Sequence, residues 1–144
     1  MSARLFLTVA SLAMCLSILA ACASDPPVLP FTEGPTSAAE LQRLQADVVG
    51  RHNVSCRNSG EFEVECEPKS RGPDWNFTRP GHPAHPAVSA SIWVWYQTPQ
   101  GQAIRIDRTG RYGGDIDAYE AWKTQLVAHD KQTLETVDEL AAVK

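Results

Sequence analysis

Apolar and polar side chains alternate along residues 88–97, which predicts a β-strand. One face would carry Val88, Ala90, Ile92, Val94 and Tyr96, and the other Ser89, Ser91, Trp93, Trp95 and Gln97. Residues 98–101, Thr-Pro-Gln-Gly, fit a tight turn, and residues 102–107 alternate again with Ile104 and Ile106 inward. Because the strand is apolar on both faces, we expect it to be central, with Trp93 and Trp95 in the core.

A second pair of strands is predicted within residues 53–67, where Val64 and Cys66 alternate with glutamates. Two turns are compatible with it. A tight turn at Asn58–Gly60 would leave Cys56 and Cys66 out of register, whereas a broader loop centred on Glu61 would place the two cysteines opposite each other. We favour the broader loop. Glu61, Glu63 and Glu65 would then lie on one solvated face.

Two amphipathic helices flank these strands. Ser37-Ala-Ala-Glu40 has the spacing of a capping box and begins a helix over residues 37–49 that ends at Gly50. Asp117-Ala-Tyr-Glu120 has the same spacing, with Tyr119, Trp122 and Leu126 as the apolar stripe, and the pattern weakens after residue 128. Residues 68–87 and 108–114 are rich in proline or glycine and are predicted to be irregular. The fold class is therefore α+β, with a small antiparallel sheet of about four strands in two hairpins.

The N-terminal 22 residues have the pattern of an export signal. Arg4 precedes an apolar run that is a little short for a membrane span, and the run ends in small residues. Leu19-Ala20-Ala21-Cys22 resembles the lipobox of bacterial lipoproteins. This resemblance implies cleavage before Cys22, attachment of fatty acids there, and a position at the cell membrane facing the periplasm. Ala23, in place of an aspartate, implies the outer membrane if the source has one. The alternative is ordinary cleavage that leaves Cys22 a free thiol.

The remaining chain divides into a linker and one domain. Residues 1–21 form the predicted signal peptide, residues 22–35 a lipidated cysteine with a proline-rich tether, and residues 36–144 one small α+β domain. Removing the signal takes away Arg4 and no acidic residue, so the net charge of −4 becomes −5. An acidic chain of this kind is not expected to bind nucleic acid.

The cysteine count predicts one disulfide. Cys15 leaves with the signal and Cys22 is the lipidation site, so Cys56 and Cys66 alone remain to pair in an oxidising compartment. The alternative is two buried thiols.

The candidate ligand-binding residues are aromatic or imidazole side chains. Trp93 and Trp95 could stack on sugar rings or on a partner protein, although core packing is the favoured interpretation. His82 and His85 lie in a proline-rich stretch that lacks the usual spacing of metal ligands, so we expect neither a metal nor a cofactor. Arg105, Arg108 and Arg111 could hold an anion, but pairing with the glutamates of residues 61–67 is favoured.

Two classes of function fit these features. The first is a non-enzymatic, lipid-anchored envelope protein that binds a protein partner or peptidoglycan, for example an immunity or inhibitor lipoprotein. The second is an envelope enzyme that acts on cell wall or lipid with His82, His85 or His129 as a base. The sequence favours the first class because it lacks the usual catalytic motifs.

We predict that Cys22 is acylated, because one buried CH₂ contributes about 0.8 kcal/mol and several acyl chains together anchor a protein stably. Cells fed an alkyne fatty acid should incorporate the label into the wild-type protein. Cys22→Ala should carry no label, and Cys15→Ala, which changes a cysteine inside the signal, should keep it. Label retained by Cys22→Ala would contradict the lipobox assignment.

Overall fold

The computed structural model describes residues 28–142, so the predicted signal peptide, Cys22 and the first part of the tether lie outside the described residues. Two helices and one six-stranded mixed sheet make up the described chain. The elements are β1 (Gly34–Pro35), α1 (Ala38–Val49), β2 (Val54–Gly60), β3 (Glu63–Pro68), β4 (Asp74–Thr78), β5 (Ala87–Thr98), β6 (Gly101–Tyr112) and α2 (Ile116–Ala142). The α+β class is therefore confirmed, with six strands rather than about four. No helix in residues 28–142 is long and apolar enough to cross a membrane.

The sheet is an open meander with one added edge strand. Its spatial order is β1-β6-β5-β4-β3-β2, and all neighbours are antiparallel except β1, which runs parallel to β6. The added strand belongs to the end of the predicted tether. Just before it, Phe31 packs on the apolar core and the carbonyl of Thr32 accepts a hydrogen bond from Arg111. The end of the predicted tether, from Phe31 onward, is therefore held against the domain.

Helix α1 covers one side of the sheet, here called the α1 face. Its start agrees with the sequence, because the Ser37 hydroxyl accepts a hydrogen bond from the backbone N–H of Glu40 at 3.1 Å. The Glu40 carboxylate does not close the capping box and instead accepts from Thr36 and Arg111. Leu41 and Val48 lead the apolar core on this face, together with Val64, Cys66, Trp75, Phe77, Val88 and Ala90.

Helix α2 covers the opposite side, the α2 face. It begins at an Asp115 cap, whose carboxylate accepts from the N–H of Ala118 at 2.8 Å, so the predicted cap at Asp117 is wrong by two residues. The helix then runs unbroken through the part where the pattern weakens. Its first half packs through Tyr119, Trp122 and Leu126 against Ala84 and Ala87. Gly110 is required there, because a Cβ at that position would lie 2.1 Å from the Tyr119 hydroxyl.

The disulfide and the predicted centre of the connection near Glu61 are confirmed, but the connection is a two-residue turn rather than a broad loop. Cys56 lies directly opposite Cys66 in the β2–β3 ladder, with a Cα–Cα distance of 4.0 Å, and a disulfide joins them. The turn falls at residues 61–62 and not at Asn58–Gly60. This result follows from register, since two cysteines on one face can be bridged only where they are opposite or nearly so.

Three further sequence predictions, on the strands and the core, are wrong. Residues 68–87 are not irregular throughout, because residues 74–78 form β4 between two prolines and lie in the middle of the sheet. Residues 108–112 continue β6 rather than forming a turn. Trp95 is not a core residue, since it is 61% exposed, whereas the buried tryptophans are Trp75 and Trp122, each 2% exposed.

Candidate functional site

A polar cleft of about 220 Å³ lies between α2 and the α2 face of the sheet. Its lining combines carboxylates, guanidinium groups and one indole with a few apolar side chains. The lining residues are Arg57, Glu65, Glu67, Asp74, Asn76, Ser91, Trp93, Ile106, Arg108, Leu126, His129, Asp130 and Thr133. Charged side chains are unusual between a helix and a sheet, because buried charges need partners.

Strand register brings these side chains together. Asp74 on β4 lies opposite Ser91 on β5, which lies opposite Arg108 on β6, so the three form one row across the sheet. Because side chains two residues apart share a face, Trp93 stands next to this row on the same side. A parallel row contains Glu65, Asn76 and Ser89. The residues that line the cleft therefore come from five strands and α2. No single segment of the sequence contains enough of them to predict the cleft.

The centre of the cleft floor is a nearly buried ion pair. The side chains of Arg108 and Asp130 are 7% and 13% exposed, and two guanidinium nitrogens donate to the two carboxylate oxygens at 2.6 and 2.7 Å. The third nitrogen donates to Asn76 Oδ1 and to Ser89 Oγ, each at 3.0 Å. This bidentate geometry is the strong form of the arginine–carboxylate interaction. It fixes the middle of α2 to the centre of the sheet.

Asp74 is the carboxylate of the cleft that the ion pairs leave out. Arg57 pairs with Glu65 at 2.7 Å and with Glu67 at 2.9 Å, and Arg108 pairs with Asp130. Burial raises the pKa of the half-buried Asp74 carboxyl, and the charges of Glu67 and Glu65 raise it further. The nearby indole N–H of Trp93 and the charge of Arg108 oppose this shift. Such perturbed carboxyl groups in a cleft are typical of binding and catalytic sites.

A projecting hairpin extends the α2 face beyond the cleft. Only residues 88–91 of β5 pair with β4, so residues 92–98 pair with β6 alone and form a two-stranded ribbon. On the α2 side of this ribbon, Trp93 lies opposite Ile106 and Trp95 opposite Ile104. Trp93 is half-buried beside the cleft, and Trp95 is exposed further out. Trp95 therefore lies on the same face as the cleft, two residues beyond Trp93.

The two predicted histidines lie in the β4–β5 loop and do not line the cleft. Nε2 of His82 lies 3.2 Å from a Glu63 carboxylate oxygen, and its Nδ1 accepts from the N–H of Ala84 at 3.1 Å. Nδ1 of His85 lies 3.1 Å from the carbonyl oxygen of Thr78. These contacts hold the loop in place. His129, by contrast, lines the cleft next to Asp130.

The arginine stretch does not form an anion site. Arg105 pairs with Asp107 at 2.8 Å, and Arg111 pairs with Glu40 at 3.1 Å, on the opposite face from Arg108. The expected pairing of these arginines with the glutamates of residues 61–67 is also wrong, because Arg57 occupies that role. Within residues 28–142, no group of three histidine, cysteine, aspartate or glutamate side chains is arranged to hold a metal ion.

Asp74, Asn76 and Asp130 were missed by the sequence analysis. Asp74 and Asn76 alternate with Trp75 and Phe77, and this short alternation is the signal that could have identified β4 and its polar face. Asp130 has no such signal, because its partner Arg108 is 22 residues away and the contact depends on how the helix crosses the sheet.

Comparison with known proteins supplies no relative on which to base a function. The chain matches no family model, no curated protein and no solved structure.

We predict that Asp74 lowers the stability of the protein at neutral pH. Its folded pKa lies above the ordinary value of 3.8, so its ionisation favours the unfolded chain. The protonated Asp74 carboxyl therefore stabilises the fold fully below pH 3.8, and this stabilisation is lost as the pH rises through the folded pKa. Asp74→Asn keeps the shape and removes the charge. It should melt at a higher temperature than the wild type at pH 7, and the difference should shrink as the pH falls towards 3.8.

Calorimetry across this pH range measures the difference. Glu61→Gln removes one charge from the exposed turn and is the matched control for net charge. A melting temperature for Asp74→Asn at or below that of the wild type at pH 7 would contradict the prediction.

Proposed function

We propose that this protein is a lipid-anchored envelope protein whose domain binds a partner through the β5–β6 ribbon and the adjoining cleft. The partner is another protein or a component of the cell wall. The role is binding and not catalysis. The observation that carries the proposal is the exposure of Trp95 on a ribbon with which no third strand of residues 28–142 pairs.

The energetics of the ribbon support a binding role. A two-stranded hairpin is only marginally stable in water unless something packs on it. Trp95 leaves 61% of its surface in solvent, and the ribbon carries Ile104 and Trp93 on the same side. Tryptophan contributes strongly to interfaces because it buries a large area at a small entropic cost. A partner that covers this side would supply the packing that the fold does not.

The sequence supports a lipid anchor, and the fold limits how far the domain can lie from the bilayer. The lipobox resemblance supplies the membrane attachment, and the disulfide is consistent with an exported protein. Since Phe31 is already held on the core, about eight residues separate it from Cys22. At roughly 3 Å per residue, the domain would stay within about 25 Å of the bilayer. The partner must therefore be reachable close to the membrane surface.

The histidine-based enzyme receives less support. His82 and His85 bind their own loop, as described above, and neither faces the cleft. His129 is the one histidine of the cleft lining.

Site-specific cross-linking in the cells that make the protein tests the proposal. A photoreactive phenylalanine analogue at position 95 of the full-length protein should yield discrete adducts on irradiation. The same analogue at Val49, which is 50% exposed on helix α1, is the matched control and should yield none. Sensitivity of the adduct to protease or to a muramidase distinguishes a protein partner from the cell wall.

Trp95→Ala should abolish adducts formed by an analogue at the exposed Gln97, which lies on the same side of the ribbon two residues further along, while stability changes by no more than about 0.5 kcal/mol. Trp75→Ala, which truncates a buried side chain, should instead cost about 3–5 kcal/mol. Absence of adducts at position 95, or equal adducts at positions 95 and 49, would overturn the proposed binding function.

A further inference from the structure

Resting on the proposed binding function, we infer that the cleft receives a cationic side chain, lysine or arginine, from a protein partner whose adjoining surface covers Trp95. The cation would pair with the Asp74 carboxylate beside the Trp93 indole. This identifies the partner as a protein with a basic surface and not as a cell-wall glycan.

The balance of charge in the cleft is the first argument. Four carboxylates line the cleft, on Glu65, Glu67, Asp74 and Asp130, against two guanidinium groups, on Arg57 and Arg108. Both guanidinium groups are already bound to carboxylates at 2.6–2.9 Å, and Asp74 belongs to neither pair. One further cation would neutralise Asp74 without displacing an existing ion pair.

The indole beside Asp74 is the second argument. Trp93 lines the cleft and stands on the same face as Asp74, one side-chain step beyond the row that Asp74 forms with Ser91. An ammonium or guanidinium group is attracted both to a carboxylate and to the face of an indole, and tryptophan is the best of the aromatic side chains for this contact. The carboxylate and the indole together form a site that attracts a cation.

The size of the cleft is the third argument. Its volume of about 220 Å³ is below the roughly 300–1,000 Å³ of pockets that enclose whole small molecules. One long side chain can enter it, but a disaccharide repeat of a glycan cannot be enclosed. The larger contact would then be made by the ribbon, where Trp95 lies outside the cleft.

Net charge is the fourth argument. The exported chain carries about five negative charges in excess, and cell-wall polymers carry carboxylate or phosphate groups of the same sign. Like charges oppose association, whereas an acidic surface attracts a basic protein and accelerates the encounter. The position of Asp74 fits this role, since a carboxylate that lowers stability at neutral pH is of the kind retained at binding sites.

Nuclear magnetic resonance of the indole N–H groups tests the inference. The protein is the chain from residue 22 onward with Cys22→Ser, and the probes are acetyl-trilysine amide, acetyl-triglutamate amide and a soluble disaccharide-peptide fragment of peptidoglycan. We expect trilysine to shift the Trp93 signal in a saturable way, to leave the buried Trp122 signal in place, and to lose affinity as salt is added. Triglutamate and the glycan fragment should cause no saturable shift.

Two matched variants make the result specific. Asp74→Asn should raise the Kd for trilysine by at least about tenfold, because it removes a charge-assisted contact. Glu61→Gln removes the same charge from the exposed turn and should leave the Kd within about twofold. Since we expect Asp74→Asn to be more stable than the wild type, lost binding would not reflect lost folding.

The outcomes separate the inference from the proposed function. Equal weakening by both variants would mean attraction to overall charge and would overturn the inference. Saturable binding of the glycan fragment at Trp93 without binding of trilysine would also overturn it, but would leave the binding function of the ribbon standing. No saturable shift with any probe would overturn the cation site, and the cross-linking at position 95 would then decide the binding function independently.

Discussion

The ion pair between Arg108 and Asp130 determines how the α2 side of this protein is organised. It joins the longest helix to the centre of the sheet through two short hydrogen bonds, and Asn76 and Ser89 bind the remaining guanidinium nitrogen. A charged pair this far from solvent is costly to desolvate, and an apolar pair of similar volume would often serve stability as well or better. What the pair adds is position. It holds α2 above the polar side chains of the sheet. A cleft therefore remains between them, whereas apolar side chains at these positions would have packed together and filled it.

The sheet is consequently unequal on its two faces. The α1 face is sealed by an apolar core that includes Trp75 and the Cys66 half of the disulfide. On the α2 face the apolar packing stops after Leu126, and charged residues follow, up to the exposed indole of Trp95. The apolar core on the α1 face stabilises the fold. This stability allows the α2 face to keep the Asp74 carboxylate outside any ion pair and the Trp95 side chain in solvent. We regard this division as the physical basis of the proposed binding role.

Local patterns in the sequence predicted what depends on neighbouring residues. The Ser37 cap, the β5–β6 turn and the register of Cys56 with Cys66 are of this kind, since each follows from spacing within a few residues. The position of Trp95 could not be predicted in this way. The sequence of an apolar strand does not show whether other elements cover it. The end of β5 is uncovered because β4 is short and pairs only with residues 88–91. The cleft was missed for the same reason, because Asp74, Arg108 and Asp130 meet only in the folded chain.

A double-mutant cycle on Arg108 and Asp130 tests most directly whether this ion pair positions α2. Arg108→Met and Asp130→Leu, made singly, should each lower the free energy of unfolding by about 3–5 kcal/mol, because each leaves one nearly buried charge without its partner. The double variant should lose no more stability than either single variant, which corresponds to a coupling energy of about 3 kcal/mol or more. Single variants that change stability by less than about 0.5 kcal/mol, with additive effects in the double variant, would contradict the account.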